Sequence, residues 1–359
     1  MMAVKKNAKT DARKEVRCSD PSLSRSMETI VGPGGSDRAD RYIAETLGLL
    51  TRSQLKARGA RIEVQGKPAK LSHPLKAGDR LVVTWMEEPP LSLVAENLPL
   101  DILYEDDRVI VVNKAQGMVT HPGAGNRNGT LANAILGHLA AKARMPTGAI
   151  GQAGDALPLR GGIVHRLDKD TSGVIIIAKD AGAQAFLAAQ FKDRTTRKEY
   201  LAVTTGLPSG DVSGHGSLDG TWHRIESRLG RDSRDRKRFA EVESGGKLAV
   251  TDWKIAAVYG DFALVHLRPR TGRTHQLRVH LAGLGCPIVG DPIYGLRHRR
   301  VSSSGESSCP SLMLHAWKLA IRLPGAAEPS QFVAPIPVRF GLLLNRLEKR
   351  YGKKKPSGT

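Results

Sequence analysis

The most informative stretch of this sequence is residues 161–179, which read GGIVHRLDKDTSGVIIIAK. Its second half contains the apolar β-branched run 174–178, bounded by Ser172-Gly173 and by charge, a pattern typical of a buried strand. Its first half places five polar side chains within six residues: His165, Arg166, Asp168, Lys169 and Asp170. Because burying such groups costs free energy unless they are paired, this loop indicates either a structural ion pair or a functional site.

Length and charge limit the class of protein. The chain has 359 residues, more than one ordinary domain, so we expect two globular units. Its net charge of +20 favours a polyanionic partner, with nucleic acid ahead of an anionic membrane surface. No apolar run approaches the roughly 20 residues that span a bilayer, so we expect no membrane insertion.

The cysteines and the N-terminus indicate a cytoplasmic protein. The chain has three cysteines at spacings that fit neither a zinc site nor a disulfide framework: Cys18, Cys286 and Cys309. A reducing cytoplasm is therefore the expected location, and we expect no metal. Residues 1–26 are basic and lack the apolar core of a signal peptide, so we predict a disordered cationic arm.

Residues 27–85 predict a small basic domain. A helical pattern begins near Ser36, Thr51 and Gln54 form a capping-box pattern for a second short helix, and two strands follow around residues 62–64 and 81–83. This layout resembles the S4-type RNA-binding domain. Six basic residues occupy its polar positions and are expected to contact RNA: Arg38, Arg41, Arg52, Lys56, Arg58 and Lys67. A merely solvated basic face is the alternative.

A second, larger domain is predicted at residues 99–345. Residues 86–98, rich in Pro and acid, are predicted to be the linker before it, and residues 346–359 a basic tail after it. The domain contains many short apolar strands and a few helices, with one helix expected at residues 274–281 and strands at 247–255 and 261–267. Because strands and helices do not alternate regularly, the sequence predicts an α+β fold.

Several motifs follow one another in this domain: YEDDRVIVVNK, HPGAG, HRLDKDTSG, RKEY, TGRTHQLRVH and GDPIYG. Together they resemble the RluA family of RNA pseudouridine synthases and, with the S4-like domain, its D-type members, which modify large-subunit ribosomal RNA. The resemblance implies a mixed, bent β-sheet around one cleft and the isomerisation of uridine to pseudouridine without a cofactor. We expect the protein to act on RNA, most simply large-subunit ribosomal RNA, as a monomer.

The resemblance also assigns roles to individual residues. Asp168 matches the catalytic aspartate, and Arg166 would fill the space that the extruded base leaves. Tyr200 would pack against the target base, and Arg278 would pair with the aspartate. Two residues of the TGRTHQLRVH motif are further expected to contact RNA: Arg273 and His275.

These residue types suit the chemistry. Breaking the C1′–N1 bond develops oxocarbenium character at C1′, which an ionised carboxylate stabilises or attacks. Since nothing is oxidised and no group is lost, no cofactor is required. The sequence leaves open whether the aspartate, the tyrosine or water removes the C5 proton. Two rival interpretations are a non-catalytic RNA-binding or ribosome-assembly protein, and a nucleotide hydrolase with Asp168 and Asp170 as a metal pair.

Overall fold

The computed structural model describes residues 24–33, 38–86, 93–123, 125–142, 161–208, 220–235, 238–295 and 311–355. The chain divides into two compact units, residues 1–92 and 93–359. Most of the predicted N-terminal arm lies outside the described residues, as do Cys18, Cys309 and residues 356–359 of the predicted tail. No helix in the described ranges is long and apolar enough to cross a bilayer.

The first unit contains a four-stranded antiparallel sheet. Its strands, in the spatial order β1-β4-β2-β3, are β1 (Ser24–Ile30), β2 (Arg61–Val64), β3 (Lys67–Ala69) and β4 (Arg80–Met86). The strand β1 was not predicted, and it begins within the stretch that we expected to be disordered. The strand β3 was not predicted either. It follows β2 through a tight turn where Gln65 and Gly66 have φ angles of 52° and 73°.

Within residues 38–86 this unit also contains two short helices. The helix α1 (Ala39–Arg41) continues into one π-helical segment, Tyr42–Thr46, and α2 (Arg52–Ala57) follows. The predicted capping box is confirmed, because Gln54 N–H donates to Thr51 Oγ1 and Thr51 N–H donates to Gln54 Oε1. Apolar side chains of both helices and the sheet form one core.

The second unit is built on a ten-stranded sheet. Its strands are β5 (Ile102–Glu105), β6 (Val109–Lys114), β7 (Ser172–Ala178), β8 (Arg197–Thr205), β9 (His223–Arg231), β10 (Phe239–Glu241), β11 (Lys247–Tyr259), β12 (Phe262–Pro269), β13 (Leu314–Arg322) and β14 (Pro329–Val333). The spatial order is β10-β9-β11-β12-β8-β13-β7-β6-β5, and β14 pairs with β13. Because β7 and β13 run parallel whereas the other pairs are antiparallel, the sheet is mixed.

In the described part of this unit, four helices accompany the sheet: α3 (Leu131–Lys142), α4 (Ala181–Lys192), α5 (Gln276–Gly283) and α6 (Val338–Tyr351). A mixed sheet with a few helices confirms the predicted α+β class. The helix α6 continues past the predicted domain end at residue 345, and Lys354 forms a bridge with Val258 of β11. The first part of the predicted tail therefore belongs to the second unit.

The last part of the predicted linker also belongs to the second unit. Asn133 of α3 donates from Nδ2 to the carbonyl of Val94 at 2.7 Å, and Glu96 N–H donates to the carbonyl of Asn133 at 3.0 Å. The Glu96 carboxylate accepts the N–H of Gly129 at 3.0 Å. Residues 94–96 are thus fixed on the start of α3.

The strand β7 is the predicted buried strand and is buried along its whole length. Val174 and Ile176 pack into one apolar cluster with α4, whereas Ile175 and Ile177 pack into another with α3. A strand with both faces covered loses its polar alternation, which explains the continuous β-branched run. The loop of residues 165–171 is therefore joined to a strand held on both sides.

Candidate active site

A cavity of about 520 Å³ opens in the second unit beside the loop that precedes β7. The start of β8 and the segment that leads into α5 form its other walls. All six site candidates of the second domain line it: Arg166, Asp168, Tyr200, Arg273, His275 and Arg278. The wall contains further cations that were not singled out in the sequence: Lys192, Arg194, Lys198 and Arg270. The structure thus brings together residues that lie more than 100 positions apart in the chain.

Backbone contacts fix the position of Asp168. Leu167 is buried, and its carbonyl accepts the Thr120 hydroxyl at 2.8 Å. Thr171 N–H donates to the carbonyl of Asp168 at 3.1 Å. The Asp168 side chain itself is 22% exposed, so the carboxylate stays accessible from the cavity.

Lys114, which was not among the predicted site residues, supports the same loop from the side of β6. Its side chain at the end of β6 is 1% exposed, and Nζ donates to the carbonyls of Ala115, Met118 and Lys169 at 2.9, 2.8 and 3.1 Å. Burial lowers the pKa of Lys114 to about 8. A buried lysine with three carbonyl acceptors ties the loop residue 169 to the strand β6.

Arg278 reaches Asp168, as the resemblance implied, but its main partner is another carboxylate. Arg278 Nη1 lies 3.4 Å from Asp168 Oδ2. Its Nε and Nη2 donate to the two oxygens of Asp291 at 2.7 and 2.8 Å, a bidentate pair. Asp291 therefore holds Arg278, and Arg278 presents its remaining nitrogen to Asp168.

Asp291 belongs to the GDPIYG motif, whose role was not predicted. Its Oδ1 also accepts the backbone N–H groups of Ile293 and Tyr294 at 2.9 and 3.0 Å. Burial acts to raise the pKa of Asp291, but the hydrogen bonds and charge of Arg278 hold that pKa below its usual range. Asp291 is consequently an ionised, fully bonded carboxylate in the interior.

His275 stands next to Asp168 in an unusual backbone conformation. Its Nε2 lies 3.9 Å from Asp168 Oδ2, and its Nδ1 lies 2.9 Å from the hydroxyl of Tyr294. Its φ of 57° is left-handed, which costs a non-glycine residue about 1–2 kcal/mol. The helix α5 was predicted to begin at residue 274, but it begins at Gln276, because the left-handed conformation of His275 cannot be part of a right-handed helix. Burial lowers the pKa of His275, which favours the neutral ring at pH 7.

Tyr200 and Lys198 both face the cavity from β8. The strand β8 starts at Arg197, three residues before Tyr200. Burial, reinforced by the negative charge of Asp168, raises the pKa of Tyr200, so the phenol keeps its proton at neutral pH. Burial also lowers the pKa of Lys198 to about 8. The cavity wall at this point is therefore apolar enough to disfavour charge.

His165 and His280 have structural roles. His165 Nε2 accepts the backbone N–H of Ile176 at 3.1 Å, and its ring stacks on Phe191 with centroids 4.3 Å apart. Burial lowers the pKa of His165 to about 3, so the ring is neutral and acts as an acceptor. His280 is buried in α5, with Nδ1 3.0 Å from the Thr251 hydroxyl.

The six basic candidates of the first unit form a separate group. Arg38 and Arg52 both bind Asp40, Arg38 through two hydrogen bonds of 2.9 Å and Arg52 at 3.2 Å. Chiefly through the Arg38 hydrogen bonds, the pKa of Asp40 falls to about 2. Arg41 pairs with Glu45 at 3.4 Å. The remaining three are exposed or half-buried: Lys56, Arg58 and Lys67.

Comparison with known proteins gives consistent matches. Residues 108–283 match the family model of RNA pseudouridylate synthases. Over 319 residues the chain is 37% identical to ribosomal large subunit pseudouridine synthase D of Borreliella burgdorferi, covering 87% of this chain and 90% of the relative. It is 39% identical over 324 residues to a protein of Chlorobaculum parvum named uncharacterized RNA pseudouridine synthase, with coverages of 86% and 94%.

A solved structure, human RNA pseudouridylate synthase domain containing 4, aligns with a TM-score of 0.48 at 26% identity. The alignment covers 72% of this chain and 95% of that one. The sequence alignments, in contrast, extend over nearly the whole of both chains at more than a third identity. The chain therefore belongs to the RluA family of RNA pseudouridine synthases.

Proposed function

We propose that this protein converts specific uridines of large-subunit ribosomal RNA to pseudouridine, with Asp168 as the catalytic carboxylate. The observation that supports this role is the position of Asp168, accessible from a cation-lined cavity and 3.4 Å from Arg278. Large-subunit ribosomal RNA is the preferred substrate because the relative from Borreliella burgdorferi is named for that subunit. We place the reaction in the cytoplasm, where such RNA is assembled into subunits.

The arrangement of Arg278 suits a carboxylate that must act on a developing cation. As the C1′–N1 bond breaks, positive charge grows at C1′, and Asp168 stabilises that charge or forms a bond to C1′. Arg278 donates its two shortest hydrogen bonds to Asp291, whereas its Nη1 lies 3.4 Å from Asp168 Oδ2. Asp168 is thus oriented by a cation without being fully neutralised, and its negative charge remains available to the ribose.

After the bond breaks, the base turns and C5 joins C1′. Tyr200 and Lys198 are half-buried in the cavity wall, and this wall would limit the access of water to C1′ while the base is detached. Tyr200, whose phenol is neutral, offers an aromatic ring against which the base packs. The product then loses its C5 proton, and the isomerisation is complete without oxidation or loss of a group.

Arg166 is the residue that we assign to the space left by the extruded uridine. Its side chain is exposed at the cavity, and a guanidinium is flat, stackable and rich in donors. Extruding a base costs a few kcal/mol, which such a side chain offsets. We expect Arg166→Ala to lower kcat about 10- to 100-fold while the Kd for RNA changes less than about threefold.

Arg194→Ala is the matched control for Arg166→Ala, because it removes an arginine from another part of the same cavity wall. It should weaken RNA binding slightly and leave kcat unchanged. Single-turnover kinetics separates the two parameters. Turnover by Arg166→Ala equal to that of the wild type would exclude the base-replacing role.

For the first unit we propose an S4-like RNA-binding role within residues 27–85. What supports it is the exposure of basic side chains in α1, in α2 and at the β2–β3 turn: Arg41, Arg52, Lys56 and Lys67. Arg41 pairs with Glu45 and Arg52 with Asp40, so each arginine is held in place while part of its side chain stays exposed. This unit would supply the salt-dependent part of the affinity for RNA.

The proposed substrate is tested by incubating the protein with transcripts of large-subunit rRNA, small-subunit rRNA and tRNA in buffer with EDTA. Pseudouridine is mapped by carbodiimide-dependent stops of reverse transcription. We expect stops at discrete uridines of the large-subunit transcript alone. Stops confined to one of the other RNAs would refute the substrate, and their absence from all three would refute catalysis by the isolated protein.

A further inference from the structure

The sheet face that looks away from the cavity carries its own group of charged and aromatic residues. Lys198 and Tyr200 line the cavity, so Glu199 between them points to the opposite face. On the neighbouring strand Leu267 pairs with Tyr200, which places His266 and Arg268 on the face of Glu199. Contacts agree with this placement, since Glu199 accepts from His266 Nε2 at 2.8 Å and from Arg268 Nε at 3.0 Å.

Two tryptophans organise the cations on this face. The guanidinium carbon of Arg268 lies 4.0 Å from the ring centroid of Trp222, and Nζ of Lys254 lies 5.3 Å from it. Nζ of Lys318 lies 3.8 Å from the centroid of Trp317. His266 contacts both indoles edge-on, at 5.0 and 5.5 Å. We call these six residues the aromatic–cation band: Trp222, Lys254, His266, Arg268, Trp317 and Lys318.

The band is suited to anions and not to a hydrophobic partner. Both indoles are half-buried beneath cations, so they act as supports that hold the charges in place. Within the described ranges, Glu199 neutralises part of the charge through Arg268, while neither Lys254 nor Lys318 has a carboxylate within ion-pair distance. Cations ordered in advance lose less conformational entropy when they bind a phosphate.

We propose that the aromatic–cation band binds the phosphate backbone of the substrate RNA at a point remote from the target uridine. The inference rests on the proposed ribosomal RNA substrate, because only a long RNA can enter the cavity and also reach the other face of the sheet. The band would therefore help to select an extended, folded RNA over a short hairpin that carries the same uridine. Neither the motifs nor the catalytic residues include any of the six members.

The test uses the double variant Lys254→Gln/Lys318→Gln, which keeps Arg268 and its bonds to Glu199. Binding is measured as a function of salt for a long large-subunit transcript and for a short hairpin around the mapped uridine. Each lost phosphate contact reduces the magnitude of the negative slope of log K against log salt by about 0.7–0.9. For the long RNA we therefore expect the magnitude of this slope to decrease by about 1.4–1.8. Its Kd should rise about tenfold, whereas the hairpin should bind and react as with the wild type.

The matched control is Lys349→Gln/Lys353→Gln, which removes two exposed lysines from the end of α6 and the residues after it. It should leave both slopes within about 0.3 of those of the wild type. Hydroxyl-radical footprinting should show that the band variant loses one protected segment of the long RNA outside the target stem. An equal loss of affinity for both RNAs, or an unchanged slope for the long one, would overturn the proposal.

These outcomes separate the inference from the proposed function. If the wild type forms pseudouridine in the long transcript and the band variant binds that transcript normally, the remote contact is refuted and the catalytic role stands. If the wild type modifies no large-subunit transcript, the proposed substrate fails, and the remote contact fails with it.

Discussion

Asp168→Asn is expected to abolish pseudouridine formation while the protein still binds RNA. The amide has the same shape but carries no charge to stabilise C1′ and is a poor nucleophile. Removal of a catalytic nucleophile lowers rates by about 10⁴-fold or more, and we expect a loss of that size. The fold should be unaffected, because the Asp168 side chain contacts Arg278 and His275 only at 3.4 and 3.9 Å. Release of the C5 tritium from a [5-³H]uridine transcript measures the rate.

Asp170→Asn is the matched control for this experiment. Asp170 stands two positions away in the same loop but does not line the cavity. Its variant should retain activity within a few-fold of the wild type. Equal losses from both changes would favour the interpretation in which Asp168 and Asp170 act as a pair, and an active Asp168→Asn enzyme would remove Asp168 from the mechanism.

Arg278→Met is expected to have the largest effect on stability. Arg278 and Asp291 are both buried, and methionine fills the space of the side chain without its charge. Breaking a buried pair by removing one partner costs about 3–5 kcal/mol, because the other charge is left uncompensated. We therefore expect a loss of that order at pH 7 in urea unfolding followed by circular dichroism, together with a strong fall in kcat.

The destabilisation by Arg278→Met should depend on pH in a definite direction. In the wild type the pKa of Asp291 is held below its usual range, so the pair stabilises the fold above pH about 4 and less below it. In the variant, Arg278 no longer offsets the effect of burial, so the pKa of Asp291 rises although Ile293 and Tyr294 still donate their N–H groups to it. The ionised carboxylate then destabilises the fold at neutral pH. As the pH falls, Asp291 of the variant becomes protonated, and the destabilisation by its buried negative charge disappears. The difference between the two proteins should narrow between pH 7 and pH 4, and a constant difference would contradict the pair.

A double variant separates the two roles of Arg278. Arg278→Met combined with Asp291→Leu leaves no unpaired charge in the interior, so it should recover part of the stability that the single change loses. Activity should not return, since nothing then orients Asp168. Recovery of both properties together would mean that Arg278 serves the fold alone.

Much of the fold follows from local patterns in the sequence. The run 174–178 predicted a buried strand, and β7 includes it. Its side chains are apolar on both faces of the strand, so the strand is stable only with both faces covered. The spacing of Thr51 and Gln54 predicted the start of α2, since that cap needs only neighbours three residues apart. In contrast, β1 carries Arg25, Glu28 and other polar residues, and only its pairing with β4 makes it a strand.

The catalytic candidates could be predicted because a family motif assigns positions. Their supports could not, since each depends on contacts between distant segments. Nothing local indicates that Lys114 binds three carbonyls, one of them 55 residues away, or that Asp291 takes up two nitrogens of Arg278. Asp291 of the GDPIYG motif could have been predicted to need a basic partner, because a carboxylate in a buried motif must be paired. Arg278, 13 residues earlier, is that partner.

The central claim is that Asp168 meets the ribose of a uridine turned out of its stack into the cavity. A structure of the Asp168→Asn protein bound to its target RNA tests this most directly. We predict C1′ of the target nucleotide within about 3.5 Å of the side chain at position 168, with Arg166 in the vacated stack. A target uridine that remains stacked in the RNA, or lies in the cavity with C1′ turned away from position 168, would contradict the account.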